Sequence, residues 1–273
     1  MNKNELNRFA VREWEKEQEP FQMAPHVYYV GTKYVGSYLI DTGDGLILID
    51  QGFAETVYLI FESIRKLNYT PYDIKYLFVS HGHFDHCGGT RLIREYTKAK
   101  VFMSEQDFKI KKEHPEWVSL GSENWIDFDA DHFYDEKKPV TLGDMSITTL
   151  LTPGHTPGTT SFVFTDRDAS GKEYLCAMHG GVGLNTLMPE FYAEYPGWPT
   201  DLIRKFIDSM DKMLKIKADI PLPSHPIQIP VLDKAGTYVE GDKNPFINPK
   251  GWTEMLTARK EKALSLMGSG SKN

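Results

Sequence analysis

The sequence predicts a single α+β domain, and three observations predict it. Short β-branched and aromatic runs bounded by Gly, Asp and Lys recur along the chain, as strands do. Segments with apolar residues at helical spacing lie between several of those runs. No linker-like stretch divides the 273 residues, whose 40% hydrophobic and 12% aromatic side chains suffice for one large core.

In chain order, residues 3–18 predict a short charged helix with Leu6, Phe9, Ala10 and Trp14 on one side, part of a helical extension over about residues 1–22. HVYYVG (26–31), GSYLIDT (36–42) and GLILID (45–50) predict strands, with Thr42-Gly43-Asp44-Gly45 as a hairpin loop. AETVYLIFESIRKL sets Val57, Ile60, Phe61, Ile64 and Leu67 at helical spacing, and KYLFVS (75–80) follows as a buried strand. A helix reaching about residue 97, the strand KVFMS and a helix over 105–112 continue the alternation. Residues 113–138 show no clean period and predict a long loop able to roof a pocket. PVTL, MSITTLL, TSFVFT and EYLCAM predict further strands. An amphipathic helix begins after Asp201, with Leu202, Ile203, Phe206, Ile207, Met210, Met213 and Leu214 inward. The strand DIPLPS (219–224), a helix over about 248–267 and a disordered tail, GSGSKN, complete the chain.

Composition narrows the function. A net charge of -7 without a basic face argues against a nucleic-acid partner. No run approaches the ~20 apolar residues of a membrane helix. The charged N-terminus lacks the apolar stretch of a secretory signal, and two cysteines, Cys87 and Cys176, suit a reducing compartment. The expectation is a cytoplasmic protein acting on a small molecule.

The chemistry concentrates in SHGHFDHCGG (80–89), at the end of a predicted strand. His81 and His83, two apart, point the same way, while Asp85 and His86 leave the turn beyond them. Imidazole nitrogens and a carboxylate suit zinc at ~2.0–2.2 Å, and a divalent ion with an open position lowers the pKa of bound water to ~7. Such a cluster can hold two metals but cannot fill two tetrahedral sites. His155 in LLTPGHTPGTTSF and His225 in IPLPSHPIQIP stand at similar strand ends beside Pro or Gly and are candidates to complete it. His26, His114 and His132 receive no role. Cys87 reads as a small buried residue opening a helix.

These motifs, in this order, resemble the metallo-β-lactamase superfamily. YYVGTKYVGSYLIDTGDGLILIDQGF is similar to its opening hairpins with a structural aspartate, here Asp50. HGHFDHCGG matches the HxHxDH signature, PGHTPGTTSF the third motif and SHP the last histidine. The resemblance implies a four-layer αββα sandwich with metals at one edge of its two sheets. The third subclass of metallo-β-lactamases is the most similar pattern. It implies that His81, His83 and His155 hold a first zinc and Asp85, His86 and His225 a second, with Fe or Mn as other occupants. Asp85 would also orient the nucleophile, and Asp50 would support a ligand histidine or accept backbone N–H bonds.

One departure carries information. Many members place a metal-bridging Asp after the strand corresponding to EYLCAM, where this chain reads MHGGVGLN. Its absence fits the lactamase subclass and counts against glyoxalase, phosphodiesterase and tRNA-processing activities. His179 stands in that neighbourhood as an unusual ligand, a substrate contact or a supporting residue. Phe191, Tyr192, Tyr195 and Trp198 read equally as packing or as a substrate wall, with Tyr192 a candidate contact. The implied activity is hydrolysis of a cyclic amide of the β-lactam type. A cytoplasmic lactonase or esterase is the alternative, and a one-iron sulfur oxygenase or a non-catalytic metal-binding module the alternatives of other classes.

Overall fold

A computed structural model of the chain describes residues 13–270. Two sheets form its centre. The first holds β1 (Phe21–Ala24), β2 (Val27–Tyr29), β3 (Tyr38–Asp41), β4 (Leu46–Ile49), β5 (Ile74–Phe78), β6 (Lys100–Met103) and β7 (His132–Phe133), side by side in that order. The first four pair antiparallel, and β4 to β7 run parallel because helices intervene. Those helices are α1 (Val57–Lys66), α2 (Phe84–Cys87), α3 (Thr90–Thr97), α4 (Glu105–Glu113) and α5 (Pro115–Ser119). The second sheet is an antiparallel meander of β8 (Val140–Leu142), β9 (Met145–Leu151), β10 (Thr160–Arg167) and β11 (Glu173–Met178), to which β12 (Ile220–Pro221) adds in parallel. Beyond it come α6 (Pro189–Glu194), α7 (Leu202–Leu214) and α8 (Pro249–Gly270).

Alternation along the strands explains the layering. Tyr38, Ile40, Ile47, Ile49 and Phe78 join Ile147, Phe162 and Phe164 of the second sheet in one core, and the Phe78 and Phe162 rings meet at 5.6 Å. Leu39, Leu48, Leu77 and Val79 instead pack with Val57, Ile60 and Ile64 of α1 and Ile93 of α3. Full burial of each such side chain contributes ~1.5–3 kcal/mol. At the end remote from the histidines, His26 reaches across to buried Asp166, with Nδ1 at 2.7 Å and the backbone N–H donating at 2.8 Å. The α+β, four-layer αββα arrangement expected from the resemblance is the observed one.

Several elements differ from expectation. β1 is an unpredicted edge strand that begins at the end of the expected N-terminal extension, held by Phe21 stacked on Tyr29 at 5.0 Å and Phe246 at 5.6 Å. Most of the predicted helix over 3–18 lies outside the described residues, and Glu13–Lys16 forms a single 3-10 turn. The expected loop over 113–138 contains α5 and β7. Gly268 to Gly270, the start of the expected disordered tail, continue α8, and residues 271–273 lie outside the described range. Among the described residues no helix is long and apolar enough to cross a membrane.

Candidate metal centre

Strand register brings four distant segments to one edge. β5 ends at Phe78, the loop joining β9 to β10 spans 152–159, β11 ends at Met178 opposite Phe162, and β12 runs parallel to β11. The Thr160 N–H donates to Ser80 O at 2.8 Å, tying the sheets together there. The loops leaving these strands carry His81, His83, His155 and His225, and α2 presents Asp85 and His86.

Six side chains converge. His81, His83 and His155 are buried, with ligand atoms all within 4.8 Å of one another, and His81 groups in the same way with Asp85 and His86. His83 Nδ1 lies 3.0 Å from His155 Nε2. His225 Nε2 lies 3.1 Å from His86 Nε2 and 3.6 Å from Asp85 Oδ2, and His86 Nε2 is 3.5 Å from that same oxygen. Two donors on one tetrahedral zinc at ~2.0–2.1 Å stand roughly 3.3 Å apart, so these spacings fit shared ions. Buried His81 Nε2 has no hydrogen-bond partner, as expected of a nitrogen that faces a metal position.

On four of the five histidines the opposite nitrogen is tied back, while buried His83 Nε2 has no hydrogen-bond partner. His86 Nδ1 meets Asp50 Oδ2 at 2.7 Å, His155 Nδ1 meets Gly183 O at 3.1 Å, His225 Nδ1 meets Tyr34 O at 2.7 Å and His81 Nδ1 meets Ser80 Oγ at 3.1 Å. Such partners fix the tautomer and aim the free lone pair inward. Asp50 also accepts from the Ser80 N–H at 2.8 Å and the Ser80 hydroxyl at 2.7 Å. Its own backbone is left-handed at φ 55°, a costly conformation for a non-glycine residue, held by its N–H donating to Phe78 O at 2.9 Å.

Electrostatics prepare the donors. Burial first, then the neighbouring imidazoles, holds His81 and His155 well below the usual histidine range, and burial takes His83 down to about 4. Burial and His86 also lower His225. Burial works against ionised Asp85, yet His86, His225 and His83 outweigh it and keep the carboxyl below its ordinary range. Burial likewise opposes protonation of His86, but Asp85 and Asp50 outweigh it and raise its pKa. Four of the imidazoles are thus held neutral beside an ionised carboxylate, the states that bind a divalent metal, while His86 has to release its proton to ligate.

The cluster opens into a cavity of about 270 Å³ bordered by Phe84, Leu120, Val182, Asn185 and Ser224. Leu120 comes from the 113–138 stretch, at the left-handed end of α5, so part of that stretch does border the pocket. Neither His179 nor Tyr192 is among the lining residues. His179 is buried, accepts the Gly181 N–H on Nδ1 at 3.2 Å and leaves Nε2 without a partner. The Tyr192 hydroxyl lies 3.5 Å from Pro199 O, and its ring packs on the core. Cys87 is fully buried, and burial raises its thiol pKa.

The turn after β11 is tightly packed. A Cβ on Gly180 would stand 2.1 Å from Thr160 O, so the backbone at 180 leaves no room for a side chain. Sequence reasoning also missed Asp107 in the first turn of α4. Its carboxylate accepts from Gly82 N–H at 2.8 Å, Gly158 N–H at 2.6 Å and the Thr156 hydroxyl at 2.7 Å. Burial lifts its pKa to about 6 despite those donors. The readable hint was Ser104-Glu105-Gln106-Asp107, a helix start whose Ser104 hydroxyl caps Asp107 N–H at 3.2 Å.

Known proteins share this architecture. Residues 30–170 match the family model for the metallo-beta-lactamase superfamily. The chain is similar to the probable metallo-hydrolase YqgX of Bacillus subtilis (strain 168), 26% identical over 234 residues, which make 80% of this chain and 95% of that protein. It is 24% identical over 222 residues to an N-acyl homoserine lactonase of Bacillus thuringiensis, covering 71% of this chain and 82% of the lactonase. BJP-1, a subclass B3 metallo-beta-lactamase of Bradyrhizobium japonicum, superposes with a TM-score of 0.83 at 28% identity over 96% of this chain and 98% of that one.

Proposed function

We propose that this chain, which belongs to the metallo-beta-lactamase superfamily, is a two-zinc hydrolase that opens a cyclic amide of the β-lactam type. The observation that carries the reading is the donor set. His81, His83 and His155 form one group, Asp85, His86 and His225 adjoin it, and residues 179–185 after β11 carry no carboxylate that could bridge them. Metals bound there supply Lewis acidity toward a carbonyl and a water acidified to near neutral pH.

The chain's own residues supply the rest. The tied-back imidazoles hold their lone pairs inward, which removes reorganisation cost. Asp85, with 21% side-chain exposure, is the carboxylate nearest the cavity and is assigned both to ligation and to orienting the nucleophile. Phe84, Leu120 and Val182 offer an apolar wall, and Asn185 offers an amide to a polar substituent. Among the described lining residues no Lys, Arg or Tyr is present, so the proton for the leaving atom comes from water.

The same lining supports a second reading, a lactone or other cyclic ester, because it provides no cation for the carboxylate of a bicyclic lactam. We assign the work to the cytoplasm, a reading supported by the two free cysteines, Cys87 and Cys176. Elemental analysis per chain, followed by kcat/KM on a β-lactam panel beside a lactone panel, tests these assignments. Two zincs with faster lactam turnover support the first reading, and faster lactone turnover the second. One iron per chain or no metal overturns both.

A further inference from the structure

Two buried carboxylates stand behind the six donors, and they serve different halves of the site. Asp50 bonds His86 Nδ1, on the side of the second donor group. Asp107 touches no donor histidine in its hydrogen bonds. Its Oδ2 accepts from the backbone N–H of Gly82, the residue between His81 and His83, and from the hydroxyl of Thr156, the residue after His155. Its Oδ1 accepts from Gly158 N–H at 2.6 Å, three residues beyond His155. The approach is deliberately close, since a Cβ on Gly158 would stand 2.5 Å from that oxygen and 2.1 Å from Ser104 Oγ. One carboxylate therefore joins the loop that carries two donors to the loop that carries the third.

Both donor groups draw on the two sheets, and this joint serves the first. His81 and His83 hang from the end of β5 and His155 from the β9–β10 loop, which belong to different sheets. Thr160 N–H to Ser80 O also crosses between the sheets, one residue before His81. Asp107 itself is fixed from behind. It is buried, begins α4, and has its N–H capped by Ser104 Oγ at 3.2 Å.

We propose that Asp107 is a positioning residue that sets the His81–His83–His155 geometry by clamping Gly82, Thr156 and Gly158, and so controls the affinity of the first metal and not the second. The inference rests on the two-metal reading of the site. A misplacement of either loop changes the separation of His83 Nδ1 and His155 Nε2, now 3.0 Å, and so the fit of one ion. The second group, held by Asp50 and by Tyr34 O, keeps its own supports.

The test is zinc titration of the full chain against a competing chelator, with Asp107→Asn as the main variant. Asparagine keeps the volume but turns an amide N–H₂ toward one set of donors. In wild type two zincs bind; in the variant one of them is expected to weaken 10–100-fold, as loss of supporting hydrogen bonds does elsewhere, and the other to change less than about threefold. Backgrounds assign the site. Asp107→Asn should weaken the zinc that remains in His225→Ala and leave unchanged the zinc that remains in His155→Ala. Thr156→Val, which removes one of the three bonds and leaves the carboxylate, should shift the same zinc in the same direction by a smaller factor, and it decides the matter if the Asn variant does not fold. Equal weakening of both zincs, or a lower apo Tm with unchanged zinc affinities, marks a merely structural role and overturns the proposal. Wild-type chain that takes up no zinc sinks the underlying reading instead.

Discussion

Asp85 is the one carboxylate among six converging donors, and its ionised form is held by the imidazoles of His86, His225 and His83 against the cost of burial. Asp85→Ala removes a donor and the group assigned to orienting the nucleophile. The expected result is a fall in kcat/KM of about 10²–10³, equivalent to ~3–4 kcal/mol of transition-state stabilisation, with loss of up to one metal per chain. Normal turnover at full metal content would contradict the role. Asp50→Ala acts at one remove, releasing His86 Nδ1 and both Ser80 donors. A drop of about 10–100-fold in metal affinity is expected by equilibrium titration. Four donors were legible because they crowd into residues 81–86, and Asp50 because it ends a strand of hydrophobic residues. Asp107 was not, because its partners stand 25, 49 and 51 positions away, and no local pattern encodes contacts of that span.

At the scale of elements, strands and helices with a full period could be read directly. GLILID reads as a continuous buried run, and MSITTLL and the α7 stripe are long enough for burial to impose alternation or helical spacing. α5 and β7 escaped because five and two residues respectively are too few to show a period. α5 is held by tertiary contacts, with Trp117 against Trp198 at 5.3 Å and Phe191 against Trp198 at 5.2 Å, and these fix the turn that puts Leu120 beside the cavity. The turn after β11 carries its own prediction. Gly180→Ala forces a Cβ to within 2.1 Å of Thr160 O, a backbone atom of the paired strand. Overpacking of this kind costs about 1–3 kcal/mol, measurable as a lower urea midpoint at unchanged slope. Unchanged stability would show that the turn moves freely and absorbs the added methyl.

For the whole molecule, assembling so many histidines at a dry edge couples folding to pH. His81 and His155 are held well below the usual range, His83 lies at about 4 and His179 at about 3, each with burial as the first cause. The unfolded chain protonates these groups near 6.5 while the native chain does not, so U binds more protons and stability falls as pH drops below about 6.5. The loss ends only below the folded values, at about 4 for His83 and about 3 for His179. Asp107 has the opposite sign, because its raised value of about 6 makes the native state the better proton binder between the unfolded carboxyl range and pH 6. His179 isolates the histidine effect, since it stands outside the six donors and metal does not mask it. Between pH 7 and pH 5 one such histidine contributes a loss of ~2 kcal/mol. His179→Phe should therefore lose about 2 kcal/mol less than wild type over that interval when both are unfolded in urea without metal, because Asp107 and the donor histidines cancel in the difference. If the two proteins lose stability in parallel, His179 does not stay neutral in the folded chain, and its unpartnered Nε2 must find an acceptor there.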